Sequence, residues 1–227
     1  MKLTTHDAQL TAKLILALDV NSFARAKYFV NKLYPKVKMF KVGLQLFSAC
    51  GPRTIDFINQ KGGGVFLDLK LFDIPNTVAS AVRQAVRLKV KMLTLHISGG
   101  SEMLKAAVAA AKEESAKIKF KRPLLIGVTV LTSQKAEAAD ILELANAGLD
   151  CGLDGVVCSA REAAFLKAKI KRKFIIITPG IRPGGACADD QKRTTTAAQA
   201  LEAGSDFLVI GRPILEADDP LKAVREL

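Results

Sequence analysis

Val65-Phe66-Leu67-Asp68-Leu69-Lys70-Leu71-Phe72-Asp73-Ile74-Pro75-Asn76-Thr77 starts as a strand and finishes as the beginning of a helix. Apolar and charged residues alternate over its first half. Side chains two apart on a strand share a face, so Asp68 and Lys70 point the same way. Asp73 follows three positions on, where Ile74-Pro75 ends the extended run, because the residue before a proline avoids the helical region. Asn76 or Thr77 can cap the helix behind it. Three alternating charges thus gather at the C-terminal end of one strand. Strand-end charges often do no more than pair in solvent. This strand, however, is apolar on its other face and lies between apolar segments, which argues for an enclosed, functional cluster.

Outward from this stretch the chain repeats one unit. Strand-like apolar runs occur at 14–20, 39–44, 92–97, 124–130, 155–159, 174–180 and 207–211. Between them fall helical patterns over 22–34, 49–60, 77–88, 100 to about 114, 135–147 (stopping at Gly148), from Arg161, over 195–203, and over 220–226. In the first helix Phe23, Ala26, Phe29, Val30 and Leu33 recur at helical spacing behind Ser22. Eight strands, each followed by a helix, imply a parallel sheet, because each crossover returns the chain to the same edge. Eight such units in 227 residues predict a closed (β/α)8 TIM barrel forming a single domain over 1–227. The competing open, doubly wound sheet lacks its Gly-x-Gly-x-x-Gly after the first strand.

Composition narrows the function. No apolar run reaches 18 residues, so no membrane span or membrane partner is expected. Met1 to Lys13 is polar and of mixed charge, without a signal-peptide core, and predicts a cytoplasmic protein. Cys50, Cys151, Cys158 and Cys187 form no Cys-x-x-Cys pair, and His6 and His96 are the only histidines, which disfavours a zinc site or a disulfide framework. The net charge of +12 fits either a nucleic-acid binder or a field for anionic substrates. The lysines are spread along helical segments, Trp is absent and Tyr occurs twice. A base-stacking platform is therefore hard to build, so the charge reads as solvated helix faces, with no nucleic-acid partner.

A barrel places its chemistry at the strand C-termini. The polar residues found there are Asp19, Lys41, Asp68 with Lys70, His96, Thr132, Ser159, Pro179-Gly180-Ile181-Arg182 and Gly211-Arg212. The segment after strand seven, 181–193, is long and rich in Pro and Gly, as lids on this face are. Gly211 lets backbone N–H groups approach a ligand, and Arg212 offers a planar fork for phosphate oxygens. His96 reads as a hydrogen-bonded core residue, since Lys70 already fills the acid's place, and Cys158 as an inert buried thiol.

Asp68-x-Lys70-x-x-Asp73-Ile74-Pro75-Asn76-Thr77, with Asp19 and Lys41 upstream and Pro179-Gly180-Ile181-Arg182-Pro183, Gln191 and Ile210-Gly211-Arg212 downstream, resembles the bacterial type of orotidine 5′-phosphate decarboxylase. The likeness runs from about Leu14 to the C-terminus. It implies decarboxylation of orotidine 5′-phosphate to uridine 5′-phosphate without metal or organic cofactor. Lys70 would protonate the C6 carbanion, and Asp68 would face the departing carboxylate. Asp73 and Thr77 would be contributed across a homodimer interface, Asp73 completing a charge network with Lys41, Asp68 and Lys70. Asp19 and Lys41 would bind ribose hydroxyls, and Thr132 or Ser133 the pyrimidine. Arg182, Gln191, Gly211 and Arg212 would hold the phosphate and the closed lid. Magnesium-dependent sugar-phosphate decarboxylases and aldolases share the Asp-x-Lys-x-x-Asp block, but they carry a carboxylate on the second strand where this chain has Lys41, a cation that would repel the metal.

Overall fold

The computed structural model describes residues 10–130, 136–182 and 195–227. Eight parallel strands close into a barrel in sequence order, and β1 pairs with both β2 and β8. The strands are β1 (Leu14–Ala17), β2 (Met39–Gly43), β3 (Gly64–Leu71), β4 (Met92–His96), β5 (Leu124–Val128), β6 (Gly155–Val157), β7 (Ile175–Thr178) and β8 (Phe207–Ile210). The helices are α1 (Phe23–Leu33), α2 (Leu44–Cys50), α3 (Arg53–Gln60), α4 (Pro75–Arg87), α5 (Gly100–Lys117), α6 (Ala138–Asp150), α7 (Ala160–Lys169), α8 (Ala197–Glu202), α9 (Arg212–Leu215) and α10 (Pro220–Arg225).

The near-continuous apolar runs follow from burial on both faces of each strand. Alternate residues point inward, where Ile15, Ala17, Phe66, Met92, Ile126, Ile177 and Val209 fill the barrel. Their neighbours Leu14, Leu16, Phe40, Val42, Val65 and Leu67 point outward into a second core shared with the helices. Fully burying one such side chain stabilises the fold by about 1.5–3 kcal/mol. Side-chain caps fix several helix starts. Ser22 accepts the Arg25 N–H at 3.3 Å. Ser159 with Glu162, and Thr196 with Gln199, form capping boxes. Ser159 therefore serves the start of α7.

Several boundaries differ from the sequence reading for identifiable reasons. Neither Asn76 nor Thr77 caps α4: the helix begins at Pro75, whose missing N–H needs no partner, behind an extended Ile74. The helix expected over 49–60 is two, because Gly51, at φ 57°, turns the chain between α2 and α3. Helix α6 runs through Gly148 rather than stopping there. A Cβ at that position would come within 2.9 Å of Ile97 Cδ1, so this glycine provides room for close packing. No helix among the described residues is long and apolar enough to cross a membrane.

Candidate active site

Strand β3 is irregular where its charges lie. It pairs Leu67 with Leu93 of β4 and next Leu71 with Leu95, so β3 takes four steps where β4 takes two. Within this bulge Lys70 holds φ at 50°, a left-handed conformation that costs a non-glycine residue about 1–2 kcal/mol. Thr94, fully buried on β4, holds the distortion in place. Its hydroxyl accepts the Lys70 N–H at 2.9 Å and donates to Asp68 Oδ1 at 3.0 Å. The bulge thus sets both charged side chains from one fixed point.

Those side chains form an alternating chain. Lys70 Nζ donates to Asp68 Oδ1 and Oδ2 at 2.9 and 3.0 Å. Lys41 Nζ, from β2, lies 3.5 Å from Asp68 Oδ2 and 3.0 Å from Asp19 Oδ1. Asp68 and Lys41 are each only 13% exposed, whereas Asp19, just past β1, is 51% exposed. Burial alone would raise the Asp68 pKa. The charges of Lys41 and Lys70, with hydrogen bonds from Lys70 and Thr94, outweigh it and hold the carboxyl below the usual carboxylate range. Asp68 is therefore ionised throughout neutral pH. A Cβ at Gly43 would sit 2.9 Å from Lys41 Nζ, so glycine at the end of β2 keeps room for that ammonium.

The cluster opens into a cavity of about 540 Å³ at the C-terminal ends of the strands. Asp19, Lys41, Asp68, Lys70, Arg182, Gly211 and Arg212 all line it, seven residues expected from the sequence and drawn from five different strand ends. Asp73 and Thr77 do not line it: both are exposed, and Asp73 Oδ1 accepts the Ile74 N–H at 2.7 Å. Thr132 and Gln191, and residues 183–193 of the expected lid, lie outside the described residues. The segment's ends meet where Ile181 bridges to Thr195, and the Arg182 N–H donates to Thr195 O at 3.0 Å.

His96 stands outside the lining, its ring 5.9 Å edge-on from Phe72. Partial burial and the nearby Lys70 charge, set against Asp68, lower its pKa from the usual 6.5. Burial pushes the Cys158 thiol far up, consistent with an inert core residue. The sequence reading missed Thr94, the rim residue Glu216 and the apolar wall of Phe66, Val128, Val157, Ile177 and Val209. Strand alternation carries the signal for Phe66, which is two before Asp68. Among the described residues no group of three or more His, Cys, Asp or Glu side chains is placed to hold a metal ion.

Known proteins with the same pattern are close in sequence. The chain is 45% identical to the orotidine 5′-phosphate decarboxylase of Moorella thermoacetica over 95% of its length and 90% of the relative's. It is 46% identical to the enzyme of that name from Syntrophotalea carbinolica over 95% and 93%. The crystal structure of orotidine 5′-phosphate decarboxylase from Lactobacillus acidophilus superimposes with a TM-score of 0.82 at 34% identity, covering 93% of this chain and 95% of that one. The family model described as orotidine 5′-phosphate decarboxylase / HUMPS matches residues 12–227. With the barrel, the bulged β3 and the alternating charges beneath the cavity, this match shows that the chain belongs to the orotidine 5′-phosphate decarboxylase / HUMPS family.

Proposed function

We propose that the chain decarboxylates orotidine 5′-phosphate to uridine 5′-phosphate without metal or organic cofactor, in the cytoplasm, as a single-domain (β/α)8 enzyme. The observation that carries this reading is the Lys70 ammonium, fixed on Asp68 at the floor of a cavity whose opposite wall, from Val128, Val157, Ile177 and Val209, is apolar. The C6–carboxylate bond breaks, carbon dioxide leaves, and the electron pair stays on C6 as an sp² carbanion with no delocalising sink. A cation already in place stabilises that charge with little reorganisation. Lys70 then transfers a proton from Nζ to C6 and is reprotonated by solvent. Asp68 holds Lys70 and faces the departing carboxylate.

Asp19 and Lys41 hold the ribose hydroxyls in this scheme, and Thr132 contacts the pyrimidine. Arg182, Gln191, Gly211 and Arg212 bind the phosphate, and 181–193 closes over it as a lid. Phosphate binding far from C6 lowers the barrier by driving that closure. A homodimer is part of the proposal. Asp73 and Thr77 lie outside their own cavity beside apolar side chains open to solvent: Phe72 is 61% exposed and Ile74 66%. Covering that patch with a second copy would direct Asp73 toward the partner's Lys70.

Incubation with orotidine 5′-phosphate, following its absorbance with and without EDTA, tests the reaction. Equal rates are expected. Loss of turnover in EDTA would move the site to metal-assisted chemistry, and no turnover in either condition would remove the substrate assignment.

A further inference from the structure

The segments that lead from a helix into β2 to β8 span 34–38, 61–63, 88–91, 118–123, 151–154, 170–174 and 203–206. They hold eleven basic residues and two acidic ones. In a closed parallel barrel all of them lie at the strand N-termini, the end opposite the cavity. Folding thus gathers most of the chain's excess positive charge on one face.

The concentration is greatest before β2 to β5. Lys38, Lys61, Lys89, Lys91, Lys119 and Lys121 are all exposed, and none has an ion-pair partner among the described residues. Backbone bonds set the lead-ins to these four strands side by side: Lys38 O accepts from Gly64 at 2.7 Å, Lys91 donates to Val65 O at 2.8 Å, and Lys91 O accepts from Leu124 at 2.9 Å. The acid in the next loop, Asp154, is already held by Arg122 at 2.6 and 2.9 Å. Lys89 and Lys119 hold φ of 58° and 53° just after α4 and α5, where helices commonly end on glycine. Lysine at both positions keeps a cation at a backbone angle that glycine would adopt without strain. Between them Phe120 is half-buried, with Lys91 Nζ 4.9 Å and Lys89 Nζ 6.0 Å from its ring centroid.

Attraction of a small substrate does not account for this face. Strand β3 alone spans eight residues, roughly 26 Å at ~3.3 Å each, and screening confines such fields to about 8 Å at physiological salt. A lipid surface or a protein partner would need apolar anchors beside the cations. The exposed large apolar side chains among the described residues, Tyr28, Leu44, Phe72 and Ile74, all lie outside these segments. Flexible lysine point charges around an aromatic ring suit a phosphate backbone of irregular path carrying unstacked bases. Of the nucleic acids, RNA is the one found single-stranded as a rule.

We propose that this face binds the backbone of single-stranded RNA. Spread along the sequence, the same lysines read as solvated helix faces with no nucleic-acid partner. The inference departs from that reading because the topology brings them together.

Fluorescence anisotropy of a short fluorescein-labelled oligo(U) titrated with the full-length protein tests it. Six neutralised phosphates predict a slope of about −4 in log affinity against log salt, and about 300-fold weaker binding at 200 mM than at 50 mM salt. The combined K89Q/K91Q/K119Q/K121Q variant should keep its turnover of orotidine 5′-phosphate and lose most of the slope. The pair K119Q/K121Q alone should reduce it by about 1.4, should the fourfold variant fail to fold. Saturating uridine 5′-phosphate should leave binding unchanged. Absence of an anisotropy change at low salt, an unaltered slope in both variants, displacement by uridine 5′-phosphate, or stronger binding to phosphatidylserine vesicles than to oligo(U) would each overturn the proposal.

Discussion

The two halves of the cavity wall are chemically unlike. Strands β1 to β3 bring Asp19, Lys41, Asp68 and Lys70 to it, whereas β5 to β8 bring Val128, Val157, Ile177 and Val209 at the inward-facing positions. The second half carries cations only beyond the strand ends, as Arg182 and Arg212. Charges on one wall opposite hydrocarbon are screened less than charges opposite water, so each interaction across the cavity is stronger. The asymmetry fits the proposed reaction, in which the charged wall would act where electrons move, the apolar wall would accommodate a flat ring, and the arginines would hold the far end.

Lys70→Ala tests the charged wall most severely. It should lower kcat by more than about 10⁴-fold, over ~5.4 kcal/mol, with the barrel intact by circular dichroism. Activity near that of the unmodified protein would show that the acid lies elsewhere. Arg212→Ala tests the far end: kcat/KM should fall about 10³-fold, ~4 kcal/mol, with KM sharply raised. Ordinary kinetics there would place the phosphate at another position. Thr94→Val removes the anchor of the bulge without touching a ligand. It should lower kcat about 10- to 100-fold at nearly constant KM and reduce stability by about 1–3 kcal/mol, with Thr94→Ser restoring both. A rise in KM with kcat unchanged would mean that the bulge does not set Lys70. Val157→Thr, on the apolar wall, should change kcat/KM by less than about tenfold.

The smallest effect concerns pH. His96 binds its proton less readily in the folded chain than the usual 6.5. Its contribution to stability is therefore complete above that value and is lost as pH falls through the lower folded one, because the unfolded chain takes up a proton first. His96→Gln should flatten the decline in stability below pH 6.5, read from denaturant midpoints across that range. Asp68 behaves in the same sense but at lower pH, where its depressed carboxyl is protonated.

The barrel was legible because each strand announces itself as an apolar run and each helix as a repeat of 3.6, and those periods survive folding. The charged wall was legible for the same reason, since alternation alone puts Asp68 and Lys70 on one side. The bulge was not. Nothing in Leu67-Asp68-Leu69-Lys70-Leu71 signals a positive φ at Lys70, because the strain comes from pairing with β4 rather than from local preference. Thr94 was hidden likewise: a lone hydroxyl in an apolar strand acquires meaning only from what lies across the sheet. Ser159 shows the opposite error, a strand-end hydroxyl that folding uses as a helix cap.

The left-handed turn at position 70 also bears on anyone wishing to make the protein hardier. Glycine would relax the backbone there but carries no amine, and every amine-bearing natural side chain meets the same steric conflict. Straightening the third strand by design is thus expected to raise the melting point while dulling the enzyme, because the discomfort of that one residue is what aims its nitrogen.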